Sequence, residues 1–431
     1  MATDEAPERI AVSVLDQARA GDFERVTERF APSLRALVPA EALRGAWAAQ
    51  TRPLGAVVSV GTPVSEPATP GVVRVRVPVT AEHGAFTLIA QVADGGWLAG
   101  LEIAPAAAAE PVQPWQAPAY ADPASFTEQE VTVGAGPRAV PGTLTRPRTP
   151  GPHPAVVLLS GSGPNDRDET IGRNKPFKDL AWGLATQGLA VLRYDKVTVA
   201  HPAEVAGDPG FTVADEYVTD AVAAVGLLGR HEAADPSRIF VLGHSLGGTV
   251  APRVAAAEPS VAGLVILAGT AQRLDRAGVR QFRYLARLGP EPDPASQAAA
   301  EVLARQAALV DSPELSPDTP ASELPFGVPA AYWLDLRAYD PVATAAQLTR
   351  PMLFVQGGRD YQVTIPDDMD RWRAGLDGRA DVTFRVFDRD NHLFFTGTGP
   401  SSPAEYEPAQ HVDPAVVGTI ADWITAAPRR A

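Results

Sequence analysis

A run of buried-strand residues, Ile239-Phe240-Val241-Leu242, ends in Gly243-His244-Ser245-Leu246-Gly247-Gly248, and an Ala-rich helical stretch follows at once. A strand that turns into a helix within one residue constrains the chain more than its composition does. The central residue is forced into a strained backbone, and side chains two positions to either side would collide. Glycine at 243 and 247 fits that geometry. The Ser245 hydroxyl would then stand exposed at the edge of a sheet. Gly-x-Ser-x-Gly also arises as an ordinary strand-end turn. Its meaning therefore depends on whether the chain supplies a base, an acid and backbone donors.

The flanking pattern predicts the sheet. Pro154–Ser160, Leu189–Tyr194, Ala262–Ala268, Met352–Gln356 and Val382–Phe387 are short apolar runs, and Phe177–Gln187, Val213–Leu228 and Val412–Ala426 read as helices between and after them. Strands apolar on both faces that alternate with helices imply a parallel sheet covered on both sides. Glu130–Val133 and Gly142–Arg146 read as an antiparallel edge hairpin.

A serine hydroxyl needs a base, and there are seven histidines. His392 lies in the loop after the last strand, and Asp360 lies just past the strand before it. The order Ser, acid, His along the chain is one that a strand–turn–helix serine uses. Asp388 and Asp390 are too close to His392 in sequence to approach it from behind, and Asp367, Asp368 and Asp370 open a helix, where carboxylates offset its dipole. Backbone donors for an oxyanion are expected at Leu246 and in the turn Ser160-Gly161-Ser162-Gly163-Pro164, with Ser162 preferred and Gly161 the alternative. Gly161-x-Gly163 is not a dinucleotide fingerprint, because Asp166 stands where the third glycine belongs. The segment Asp166-Arg167-Asp168-Glu169 is read as a polar network that shapes the site floor or holds a lid.

At 431 residues the chain is long enough for two domains. Residues 1–103 combine amphipathic helices with alternating strands such as Val73–Val79. They are expected to form an α+β unit resembling the ketosteroid-isomerase-like cone and serving for packing or dimerisation. Residues 104–125, interrupted by five prolines, read as a semi-rigid linker. Residues 126–431 form the second domain, in which 270–349 hold helices but no strand and are read as a lid. A net charge of −14 argues against nucleic acid and anionic membranes as partners. With no cysteine, thiolate chemistry and disulfides are absent, and no cofactor or metal motif is read. Met1–Ile10 lack an apolar signal region and no run is long enough to span a bilayer, so a cytoplasmic location is expected.

With these residues in place the chain resembles the α/β-hydrolases. More narrowly, it resembles bacterial serine carboxylesterases that carry a small N-terminal domain and the signature Gly-Ser-Gly-Pro-x-Asp-Arg-Asp, here Gly161–Asp168. The elbow, Tyr332-Trp333, Tyr339-Asp340-Pro341, Gln356–Val363, Asn391–Phe394, Glu405-Tyr406 and His411-Val412 match as well. One stretch departs: after Arg193-Tyr194-Asp195-Lys196 this chain runs Val197-Thr198-Val199, where the family has Arg-Gly. The resemblance implies a doubly wound, mostly parallel sheet, a Ser245–Asp360–His392 triad and hydrolysis of a small-molecule ester with a short or medium acyl group. A thioesterase, acyltransferase or cyclase would use the same triad. A binding protein with a relict triad is disfavoured, because every catalytic position is intact.

Overall fold

The computed structural model describes residues 5–69, 71–105, 115–289 and 291–429. The chain forms two compact units, residues 1–114 with 278–330, and residues 115–277 with 331–431.

In the first unit, helices Pro7–Ala20, Phe23–Glu28 and Ala40–Thr51 cover an antiparallel sheet. Its strands are β1 (Val57–Val60), β2 (Val64–Thr69), β3 (Val72–Ala81), β4 (Gly84–Ala93) and β5 (Leu98–Pro105), in the order β1-β3-β4-β5 with β2 also on β3. The period-two pattern brings Val75, Val77, Val79, Leu88 and Val92 into one core with Ile10, Val14, Leu15, Phe23 and Val26. Gly21, at φ 78°, ends the first helix, and Asp22 caps the second.

The helix Pro294–Asp311 belongs to this same unit and packs against Ala40–Thr51 and Pro32–Leu37. Its apolar stripe, Ala299, Ala300, Leu303, Ala307 and Val310, needs a partner surface. This differs from the division read from sequence, which kept all of 270–349 with the second domain. Only residues 331–349 and the start of the segment group with the second unit. Of the expected linker, 106–114 lie outside the described residues. Residues 115–125 are not a spacer: the Trp115 indole donates to Asp179 at 2.9 Å and its ring meets Trp182 at 5.0 Å.

The described residues of the second unit form an eight-stranded sheet. Its strands are β6 (Phe126–Val133), β7 (Val140–Pro147), β8 (His153–Leu159), β9 (Ala190–Tyr194), β10 (Ala234–His244), β11 (Gly263–Leu267), β12 (Met352–Gly357) and β13 (Val382–Phe387). The order is β6-β7-β9-β8-β10-β11-β12-β13. The first two pairings are antiparallel, and the rest, from β9 onward, are parallel. Helices Pro176–Thr186 and Pro414–Ala426 pack with Val156, Leu158, Phe240, Leu242, Leu353 and Val355 in the main core. This is the α/β-hydrolase arrangement. The chain moves outward from β8 to β9 and then returns to the other side of β8 as β10. That reversal opens a crevice at the carboxyl ends of β8 and β10, where open α/β sheets place their ligands. Among the described residues no helix is long and apolar enough to cross a membrane.

Candidate active site

Ser245 sits where β10 meets the helix Leu246–Ala257, with φ 54° and ψ −120°. A non-glycine residue held there is strained, and its surroundings hold it. Its N–H donates to the Leu267 carbonyl at the end of β11 (2.9 Å), and its carbonyl accepts the Thr249 N–H (3.0 Å). The flanking glycines are required by close approach. A Cβ on Gly243 would collide with the Gly247 carbonyl, and one on Gly247 with the Leu159 carbonyl of β8. The helix begins at Leu246, so its N-terminal amides face the position that the serine occupies.

Asp360 follows β12 and is buried. Its Oδ1 accepts the backbone N–H groups of Gln362 (2.7 Å) and Val363 (3.0 Å), and its Oδ2 accepts the Gln356 side-chain amide (3.1 Å). The same Oδ2 lies 2.7 Å from Nδ1 of His392, also buried. With Nδ1 protonated toward the carboxylate, the neutral ring keeps its lone pair on Nε2. Asn391 shapes this loop, its Oδ1 accepting the N–H groups of Leu393 (3.0 Å) and Phe395 (3.1 Å). Asp388 is exposed, and Asp390 meets Thr396 rather than His392.

The turn after β8 lies beside the serine. A Cβ on Gly161 would stand 3.3 Å from Ser245 Cβ. The Gly161 N–H donates to Glu169 Oε1 at 2.6 Å, so Gly161 is withdrawn as an oxyanion donor. Its carbonyl accepts three donors: Tyr217 Oη (2.7 Å), Asn165 Nδ2 (3.0 Å) and Lys196 Nζ (3.0 Å). A trans peptide points its C=O and the following N–H to opposite sides. Three donors on the Gly161 oxygen therefore also fix the direction of the Ser162 N–H.

Lys196 is wholly buried, and burial lowers its pKa against the opposing pull of Glu216. Its ammonium meets Glu216 Oε1 (2.5 Å), Tyr217 Oη (2.8 Å) and the Gly163 carbonyl (2.8 Å). Tyr332 Oη closes the group on Glu216 Oε2 (2.5 Å). Sequence reading missed Lys196 and Glu216, because nothing local marks a lysine that turns inward.

The expected polar network stands to one side of the serine. Asp166 accepts the Thr170 N–H (2.8 Å) and hydroxyl (2.7 Å), closing a turn, while burial raises its pKa. Arg167 forks onto Asp195 (3.0 and 3.1 Å) and reaches Thr143 on β7 (2.8 Å). Asp168 binds Arg193 and Lys175, both at 2.8 Å. Burial opposes its charge, but those two cations keep its pKa below the usual carboxylate value. Arg167 and Asp168 staple the loop to β7 and β9, while Asp166 holds the loop's own turn. The residue after them, Glu169, is the one that reaches the serine's neighbours.

A family model described as serine aminopeptidase S33 matches residues 154–397. Esterase EstD of Thermotoga maritima is 43% identical over 311 residues, covering 72% of this chain and 70% of EstD. The 2,6-dihydropseudooxynicotine hydrolase of Paenarthrobacter nicotinovorans is 32% identical over 123 residues, 28% of this chain and 30% of that protein. Among solved structures, an esterase of Pyrococcus furiosus aligns with a TM-score of 0.44 at 17% identity, covering 70% of this chain and 91% of the other.

Proposed function

The chain belongs to the serine aminopeptidase S33 family of hydrolases, and on that premise we propose that it cleaves carboxylic esters through an acyl-enzyme on Ser245. The observation that carries this reading is the buried 2.7 Å contact between His392 and Asp360, on the sheet edge that also holds the strained serine. The likeness to EstD, whose name is that of an esterase, supports the same bond class.

In the first half-reaction Ser245 Oγ attacks the ester carbonyl and its proton passes to His392 Nε2. Asp360 holds the ring in the required tautomer and stabilises the imidazolium that forms. The carbonyl oxygen takes up negative charge, which the N–H groups of Leu246 and Ser162 receive. Collapse of the tetrahedral species breaks the C–O bond to the alcohol, which leaves with the proton from His392. Water then attacks the acyl-enzyme, giving its proton to His392, and the carboxylic acid departs as Ser245 Oγ recovers that proton.

The test is a p-nitrophenyl ester series with mass-resolved labelling by a fluorophosphonate. Wild type turns over at least one acyl length and is labelled at Ser245; Ser245→Ala does neither. Turnover of no acyl length would sink ester hydrolysis. Full activity in Ser245→Ala would sink the assignment of the nucleophile.

A further inference from the structure

Next to the triad lies a second carboxylate–imidazole pair that the proposed reaction does not use. His244 Nδ1 is 2.9 Å from Glu169 Oε1, and both side chains are buried. His244 Nε2 donates to the backbone carbonyl of His392 at 3.0 Å. A carbonyl only accepts, so Nε2 carries a proton and cannot serve as a base. Burial disfavours the charged ring, yet the Glu169 carboxylate and the two hydrogen bonds raise its pKa above the ordinary value.

This pair touches the turn after β8 and the base, and it adjoins the nucleophile in the chain. Glu169 Oε1 accepts the Gly161 N–H, one residue before the Ser162 donor. His244 is the chain neighbour of Ser245. Its ring lies 4.7 Å, centroid to centroid, from that of His392, and its Nε2 holds the His392 carbonyl. The site also tolerates a cost to keep Glu169 there. Its backbone is strained at φ 52°, and among the described residues its Oε2 is buried without a hydrogen-bond partner. Strain and an unmet buried oxygen in one residue are features that functional positions retain and ordinary packing positions lose.

We propose that Glu169 and His244 are positioning residues that hold the oxyanion strand, the nucleophile and the base at their working separation. The proposal rests on the reading of Ser245 as the nucleophile. Glu169 fixes the Gly161 amide, and through it the peptide that presents the Ser162 N–H. His244 carries that constraint across the elbow to the backbone of the base. Both side chains are buried and engaged with backbone, so their loss changes how well the tetrahedral state is held, not how well the ester is bound.

Glu169→Ala, Glu169→Gln and His244→Gln are compared with wild type for kcat, KM, Tm and the Ki of an alkyl trifluoromethyl ketone. That ketone forms a tetrahedral adduct with the serine. In Glu169→Ala, kcat falls about 100-fold, the order of losing one oxyanion donor, while KM stays within about threefold and Ki rises in step with the fall in kcat/KM. Glu169→Gln keeps an acceptor for the Gly161 N–H and recovers about tenfold of that loss. His244→Gln falls between the two. If Glu169→Ala does not fold, Glu169→Gln and His244→Gln decide the matter through the same parallel between Ki and kcat/KM. The proposal is overturned if the folded variants keep kcat within about threefold of wild type, or if kcat falls with Ki unchanged. It is also overturned if Glu169→Gln fails to fold, which would make the pair a stability element. Fluorophosphonate labelling of wild type separates the two readings. Unlabelled Ser245 defeats the esterase mechanism itself; labelled Ser245 with indifferent variants defeats the positioning role alone.

Discussion

Lys196→Met removes the cation paired with Glu216 and keeps most of the volume. Glu216 Oε1 then stays buried without its ammonium, although Tyr332 still donates to Oε2. Removing one partner of a buried ion pair costs about 3–5 kcal/mol. The Gly163 carbonyl also loses its Lys196 donor, but Gly163 is exposed and water takes the place of that bond, so it adds little to the cost. The double variant Lys196→Met/Glu216→Gln removes both charges and leaves the Tyr332 bond an acceptor, so it should recover about half of the first loss. Because the chain has two units, a whole-protein unfolding curve is not a two-state quantity. The denaturant midpoint at which esterase activity disappears is the better measure. With the Gly161 carbonyl reduced to its Tyr217 and Asn165 donors, kcat should also fall about 10- to 100-fold through misplacement of Ser162. A single variant costing less than about 1 kcal/mol, or a double variant as damaged as the single, would refute the account of Lys196 as a paired buried charge.

Two further outcomes follow from single residues. Burial, aided by the neighbouring Asp413 carboxylate, pushes the Asp390 carboxyl up to about 7, from an ordinary value of 3.8. The folded state therefore holds that proton more tightly than the unfolded chain. This contribution is complete below about pH 4 and lost as pH rises through about 7. Asp390→Asn should match wild type at pH 4 and exceed it at pH 8 by up to about 4 kcal/mol, read from the calorimetric transition of the second unit at both pH values; an equal gain at both would refute it. Ser245→Gly should relieve the φ 54° strain and, after the entropy cost of glycine, stabilise by about 1 kcal/mol relative to Ser245→Ala. A lower Tm for the glycine variant would show that the elbow is not strained.

How legible each part was depended on how local its cause is. The elbow could be read because strand, glycines and helix are consecutive, and the collisions that demand Gly243 and Gly247 are with backbone a few residues away or in the next strand. That Asp360 and His392 meet could be read because chain order and strand ends bring them together. The contacts of Glu169 and Lys196 could not, although Asp166–Glu169 reads as a polar network. Each turns inward to partners on other elements, His244 and Glu216, and a hydrophobic pattern records which face is buried, not which polar group waits there. A sequence signal for Glu169 did exist: a histidine inside an elbow is bound to be buried, and a buried histidine needs partners for both nitrogens. The choice between Gly161 and Ser162 as donor depended on a contact of the same residue, because Glu169 engages the Gly161 amide. The allegiance of residues 278–330 was invisible for another reason. A small-residue helical stripe such as Ala299–Val310 shows that a partner surface exists, without naming it.

Two histidines lie ring against ring at the site, and hydrogen bonding separates their roles. His244 has Nδ1 on Glu169 and Nε2 on the His392 carbonyl, so it has no lone pair to offer a serine hydroxyl. His392 has Nδ1 on Asp360, which leaves Nε2 as the acceptor. Proton transfer is a chemical service that a small diffusible base can perform in a vacated site, whereas holding two backbone segments together is not. In His392→Ala, kcat should fall by about 10⁴-fold or more, and added imidazole should restore part of it with a saturable dependence. In His244→Ala the loss should be smaller, of the order of about 100-fold, and imidazole should restore none of it, because a free molecule does not bridge Glu169 to the backbone of residue 392. Initial rates against imidazole concentration, at a pH where imidazole is mostly neutral, provide the comparison. Rescue of His244→Ala, or an unrescued His392→Ala whose fold is intact, would exchange or abolish the roles assigned to the two rings.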